Sequence, residues 1–125
     1  MFQIQAFSSV PVYEQIVTQT EQFVLNGLLA EGTQMPSVRS LSIQLSVNPN
    51  TIQKAYNELD TRGILCSVPG KGCFIVTGAR ERVAQSSRKR LVELTEIVHQ
   101  LLLAGVPLEE IQHCVAEAYK EGNTK

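Results

Sequence analysis

The 125-residue sequence has no apolar run near the ~18 residues a membrane span requires, so neither a transmembrane helix nor a membrane partner is expected. Its opening residues, MFQIQAFSSV, lack the basic start and long apolar stretch of a secretory leader. Cysteine is scarce and odd in number. Cys66, Cys73 and Cys114 show no metal-ligand spacing and fit reduced thiols in a cytoplasm, the expected location. A redox or metal switch with Cys66 and Cys73 facing each other across a hairpin is conceivable, but the preferred reading is that of small buried cysteines, which are commonplace core residues. Excess basic charge is missing too. Lys+Arg 11 against Asp+Glu 12 gives a net charge of −1 and a pI near 6.1, so any nucleic-acid contact has to rest on a local patch. No nucleophile with a base, carboxylate pair or metal set is visible, and neither catalysis nor a cofactor is expected. His99 and His113 have no third ligand at useful spacing.

What the sequence does contain is a succession of helical periods. Tyr13, Ile16, Val17, Thr20, Phe23, Val24, Gly27 and Leu28 trace one face, with Pro11 near the start and the stretch from Gly27 to Gly32 ending it. Met35-Pro36 is extended, because a residue before proline is pushed out of the helical region. Ser37 then caps a short helix that buries Val38, Leu41 and Leu45. After a tight connection at Ser46-Val47, Asn48 caps the next helix through its side-chain oxygen. Pro49 follows at the first helical position, where its missing N–H costs nothing. Ile52, Ala55, Tyr56 and Leu59 form the core face of this helix and Gly63 stops it, while Asn50, Gln53, Lys54 and Asn57 make a polar stripe opposite. Two short helices joined in this way form a helix-turn-helix pattern.

The period then changes. Residues 64–68 read as a strand, Pro69-Gly70-Lys71-Gly72 as a turn and residues 73–76 as the returning strand, a wing with Lys71 between two glycines at its tip. The expected class is therefore mainly α with a small β-hairpin. A winged helix-turn-helix domain occupies residues 1–77, and a two-helix dimerisation region occupies 78–125. Thr77-Gly78-Ala79 reads as a hinge. Beyond it Val83, Ser87, Leu91, Leu94, Val98 and Leu101 predict one long helix of about five to six turns, ended by Gly105. Pro107 opens a second helix with Leu108, Ile111, Val115 and Ala118 on one side, Glu109 and Glu110 near its positive end, and Glu121 to Lys125 frayed. About 45 residues do not make a self-sufficient core. The stripe must meet the winged domain or a second copy of the chain. The expectation is a homodimer sealed by Leu91, Leu94, Val98, Leu101, Leu108, Ile111 and Val115.

The stretch from Tyr13 to Val76 resembles the DNA-binding domain of GntR-family bacterial transcription regulators. The resemblance is carried by Gly27 and Gly32, by MPSVRSLSIQLSVNPNTIQKAYNEL (Met35 to Leu59) and by RGILCSVPGKGCFIV (Arg62 to Val76). PVYEQI near the start, NPNT in the recognition helix and a short helical tail resemble the YtrA-like branch. The resemblance implies a dimeric, repressor-type regulator that binds double-stranded DNA at an inverted repeat, often beside transporter genes it controls. It places Ser37 and Arg39 of the PSxR motif, and Gly70, Lys71 and Gly72 of the wing tip, among the DNA contacts. Pro49 and Gln53 stand where many members carry arginines. Asn50 and Gln53 can instead pair with the N6 and N7 edges of adenine, and the Thr51 methyl can meet a thymine methyl, which favours A·T pairs under this helix. Asn48 exposes a helix N-terminus that favours a phosphate, and Lys54 completes the candidate set.

A rival reading is a winged-helix protein-interaction module without sequence-specific DNA binding, which the salt dependence of duplex binding separates from the first. The cluster Arg80, Arg82, Arg88, Lys89 and Arg90, opposed only by Glu81, either faces DNA or solvates a helix end. Relatives with a large aminotransferase-like domain need more chain than this one has. Two helices leave little room for a pocket of ~300 Å³, so no dedicated effector domain is expected and any small-molecule effector is unassigned.

Overall fold

The computed structural model describes residues 1–123, and the frayed end expected at Thr124 and Lys125 lies outside them. Its elements are α1 (Val12–Leu25), α2 (Val38–Leu45), α3 (Pro49–Thr61), β1 (Leu65–Val68), β2 (Gly72–Ile75), α4 (Ala79–Arg88), α5 (Leu91–Leu103) and α6 (Leu108–Asn123). The chain divides into two compact units at Ser86/Ser87.

In the first unit the amphipathic periods close on one core. Ile16, Val17 and Val24 of α1 meet Leu41 of α2 and Ile52, Ala55, Tyr56 and Leu59 of α3, with Ile64, Leu65 and Ile75 from the hairpin beneath. The buried Thr20 hydroxyl is satisfied by donating to the Ile16 carbonyl at 2.7 Å. Helix α1 ends at Leu25, before the expected Gly27 and Leu28. Leu28 is exposed, and Leu29 fills the core in its place. Strands β1 and β2 pair antiparallel, Leu65 opposite Ile75 and Val68 opposite Gly72. Cys66 pairs with Phe74 and Cys73 with Ser67, so alternation along the strand puts the two thiols on opposite faces of the hairpin rather than facing one another. All three cysteines are free.

The expected hinge is instead a fixed joint. The Gly78 N–H donates to Glu31 Oε1 at 2.8 Å, and Ala79 and Val83 are buried in the same core. That burial explains why the division of the folded chain falls nine residues beyond the 77/78 boundary read from the sequence. Two arginines of the basic cluster hold α4 there. Arg80 Nε donates to the Leu25 carbonyl at 3.3 Å, and Arg82 Nη1 to the Gly63 carbonyl at 2.8 Å. Both acceptors lie at or just past helix C-termini, where a cation meets negative dipole ends and unpaired carbonyls.

The N-terminal residues form a strap along α1. Gln19 accepts the Gln3 N–H at 2.9 Å and donates to the Gln3 carbonyl, while Gln15 does the same for Gln5 at 2.9 and 3.1 Å. Four helical residues rise about 6 Å, close to the ~6.6 Å spanned by two extended residues, so glutamines at i and i+4 match alternate strap residues. Phe2 adds an edge-on contact with Phe23 at 5.3 Å.

The second unit departs from the expected single long helix. The chain turns at Lys89-Arg90 between α4 and α5, where the Arg90 N–H reaches the Ser87 carbonyl at 3.0 Å. Two serines of modest helix propensity followed by three adjacent cations weaken the helix at that point. Helix α6 runs through Glu121 to Asn123, which were expected to fray. No residue of α5 or α6 is buried. Leu91, Leu94, Leu108 and Val115 are exposed, and Val98, Leu101 and Ile111 half-buried. Val92, Ile97, Leu102, Leu103 and Tyr119 add apolar surface that the stepped stripe missed.

Candidate nucleic-acid interface

The candidate residues sit on three pieces of the first unit. On α2, the Ser37 hydroxyl accepts the Ser40 N–H at 3.0 Å, and this cap starts the turn that carries the exposed Arg39. Helix α2 ends with Ser46 in the left-handed region (φ 54°), and its Ser42 hydroxyl bonds the Val47 carbonyl beyond the turn. The Asn48 side chain then accepts the Asn50 N–H at 2.8 Å, with Pro49 at the start of α3. The spacing that buries Ile52, Ala55, Tyr56 and Leu59 leaves Asn50, Gln53, Lys54 and Asn57 exposed, and Thr51 half-buried.

Two of these side chains already have neighbours. Gln53 Nε2 donates to Asn57 Oδ1 at 2.9 Å, so Asn57 belongs to the same polar face although it stands outside the candidate set. One amide hydrogen and the Oε1 acceptor of Gln53 remain for a base edge. The Lys54 ammonium lies 4.0 Å from the centre of the Tyr13 ring, a cation–π contact that points this lysine toward the start of α1. The Tyr13 hydroxyl donates to Glu14 at 3.2 Å, and that bond, with the carboxylate charge, holds its pKa above the ordinary value.

The third piece is the wing. The Lys71 N–H closes on the Val68 carbonyl at 2.9 Å around Pro69-Gly70, with Gly70 at φ 76°. Proline followed by a residue of positive φ is the chemistry of a type II turn. Lys71 projects from the exposed tip. Gly72 has φ 117°, and a Cβ there would lie 2.7 Å from Gln34 Nε2. Its glycine thus serves turn geometry and close packing together, so a bulky substitution disturbs the wing itself as well as any DNA contact.

The segment before α2 links these pieces. Gln34 pairs with Phe74 as a strand-like rung, and the Met35 N–H reaches the Cys73 carbonyl at 2.8 Å. The Tyr56 hydroxyl of α3 donates to the Pro36 carbonyl at 2.6 Å, and burial, then the nearby Cys73, pushes its pKa well up. On the far side, Arg62 joins α3 to α1 through Glu58 at 2.9 Å and Glu21 at 3.0 Å. Burial works against the Arg62 charge, but the hydrogen bond that Arg62 donates to Glu58 and the charges of the two carboxylates more than offset it and raise its pKa. Of the basic cluster, all exposed, Arg80 and Arg82 are occupied with backbone carbonyls and Arg90 pairs with Glu93 at 3.3 Å, which leaves Arg88 and Lys89 without a side-chain hydrogen bond or ion pair among the described residues. Among the described residues no group of histidine, cysteine or carboxylate side chains could hold a metal, and no helix is long and apolar enough to cross a membrane.

Comparison with known proteins agrees with this geometry. Residues 12–75 match the family described as bacterial regulatory proteins, gntR family. The chain is 36% identical over 118 residues to the HTH-type transcriptional repressor YtrA of Bacillus subtilis (strain 168), covering 94% of this chain and 91% of that protein. It is similar in structure to a transcriptional antiterminator from Listeria monocytogenes EGD-e, with a TM-score of 0.74, 37% identity, and 96% of this chain and 90% of that one covered. The DNA-binding domain of AraR, solved in complex with operator ORX1, matches 59% of this chain and 93% of its own, at 28% identity and a TM-score of 0.54.

Proposed function

The chain belongs to the gntR family of bacterial regulatory proteins and is a DNA-binding transcription regulator, not an enzyme; from that premise we propose that it acts as a homodimeric repressor on an inverted-repeat operator. One observation carries the reading of the site: α3 buries Ile52, Ala55, Tyr56 and Leu59 and turns Asn50, Gln53, Lys54 and Asn57 outward behind a capped N-terminus. In helix-turn-helix proteins such a face enters the major groove by its N-terminal residues. Asn50 and Gln53 read adenine edges, Thr51 touches a thymine methyl, and Arg39, Lys54, Lys71 and the Asn48-capped helix end hold phosphates. Ser37 sets Arg39 in place. Gly70 and Gly72 let the wing backbone approach the duplex.

The exposed apolar faces of α5 and α6 support the dimer, with Leu91, Leu94, Val98, Leu101, Leu108, Ile111 and Val115 in the seam. A single recognition helix contacts too few base pairs to select one genomic site, whereas two-fold pairing reads two half-sites about one turn apart, ~34–36 Å. The name of the Bacillus relative supports repression, and the site of action is the bacterial cytoplasm, where operator DNA lies. A transporter-gene target follows from the resemblance to the YtrA-like branch.

Footprinting on the gene's own upstream duplex tests this reading. An inverted repeat protected on one face, with affinity falling steeply as salt is added, is the expected result. Gln53→Ala should relax preference at one base pair by ~1–3 kcal/mol, while Lys71→Ala should weaken all sequences alike and lower the salt slope by about one. An unchanged preference profile in Gln53→Ala removes that residue from base reading.

A further inference from the structure

The wing tip is held by a residue that belongs neither to the wing nor to the helix-turn-helix. Gln34 Nε2 donates to the Lys71 carbonyl at 2.9 Å, across 37 positions of sequence. Its backbone is fixed independently of that bond. The Ile75 N–H reaches the Thr33 carbonyl at 2.9 Å and the Met35 N–H reaches the Cys73 carbonyl at 2.8 Å, so Gln34 stands on a strand-like rung opposite Phe74. Gly72 leaves the space: a Cβ there would lie 2.7 Å from the same Nε2 and would displace it from Lys71. The wing hairpin has only four residues in each strand, and Pro69, Gly70, Lys71 and Gly72 at its tip are exposed.

We propose that Gln34 is the positioning residue of the wing: its side-chain amide fixes the Lys71 backbone so that the lysine meets the DNA backbone already oriented. The next residues extend the same arrangement. Pro36 accepts from Tyr56 of the recognition helix, and Ser37 caps the helix that carries Arg39. The segment from Gln34 to Ser37 therefore ties the wing, the recognition helix and the start of α2 to one another. A loop whose backbone is pre-ordered in its bound conformation loses less freedom on binding, which is where the affinity gain arises.

This inference rests on Lys71 contacting DNA, and the test separates the two claims. The full chain is titrated with its own upstream duplex as wild type, Gln34→Ala, Lys71→Ala and the double variant. Gln34→Ala should weaken binding about three- to tenfold, the worth of one hydrogen bond, with the base-preference profile unchanged. In the Lys71→Ala background the same substitution should have no further effect, because its action passes through Lys71. Equal losses in both backgrounds overturn the inference while leaving Lys71 as a contact. A normal Gln34→Ala beside a weakened Lys71→Ala does the same. No loss in Lys71→Ala removes the contact and the inference with it. Gln34→Glu keeps the length of the side chain but cannot donate to the carbonyl; it should reproduce the alanine effect, and it serves where the alanine variant fails to fold. Wild-type binding by a folded Gln34→Glu overturns the proposal.

Discussion

The two units of this chain are built from equally amphipathic helices and end in opposite states. The first places fifteen hydrophobic residues in one core drawn from four helices and a hairpin. The second has two helices of similar length, neither with a buried residue. The difference lies in geometry rather than composition. A stripe is buried only when other elements close over it from several directions, and two helices joined by a short turn cannot provide that. In the function proposed above, the first unit reads DNA and a second copy covers the exposed apolar surface of the second, so specificity and assembly would fall to different parts of one short chain.

The sharpest way to break that contrast is to put charge on the second unit. Leu94→Glu with Val98→Glu would bury carboxylates in the proposed seam, at a cost of several kcal/mol for each unpaired ion. Light scattering should then report a monomer, and footprinting should show the inverted repeat lost while weak nonspecific binding remains. A variant that stays dimeric would mean that the chains associate elsewhere.

In that monomeric background the units can be compared by truncation. Leu59→Ala, at a fully buried position, should cost 2–5 kcal/mol, about the typical range for a core leucine, in denaturant melts. Leu102→Ala, at an exposed position, should change the same melts by less than about 0.5 kcal/mol. Equal costs would show that the second unit has a core of its own.

The strap offers a smaller test of how far the first unit's order extends. Gln15→Ala with Gln19→Ala removes both amide clasps on Gln3 and Gln5 and should cost about 1–2 kcal/mol, since exposed hydrogen bonds are worth little net. Amide exchange at Gln3 and Gln5 should accelerate while operator affinity stays unchanged. Smallest of all is the turn between α2 and α3. Ser46 is the one non-glycine residue of positive φ among the described residues, and Ser46→Gly should relieve that strain. Glycine's greater freedom in the unfolded chain offsets part of the gain, so thermal melts should show a rise of about 0.5 kcal/mol.

Much of the first unit was legible from local chemistry. Ser37 and Asn48 announce their caps, and Ile52, Ala55, Tyr56 and Leu59 repeat at the helical period and are buried. Proline and glycine mark the wing turn where the Lys71 N–H closes it. The candidate contacts were legible as residue types on an exposed face. The partners of Gln53 and Lys54 were less so, for Asn57 lies one turn away but Tyr13 belongs to another helix.

Sequence alone determined that three helices precede the wing, where the helix-turn-helix and its wing begin, and which face of α3 is polar, because those outcomes rest on interactions within a turn or two of chain; it missed the break between α4 and α5. Only the tertiary structure decided the rest. Glu31 converts an apparent hinge into a joint, Arg80 and Arg82 leave the basic cluster for helix ends, and strand register separates Cys66 from Cys73. Gln34 reaches the wing tip across 37 residues. Each depends on side chains and carbonyls that meet only after the core has closed, and no period or cap in the sequence encodes such a meeting.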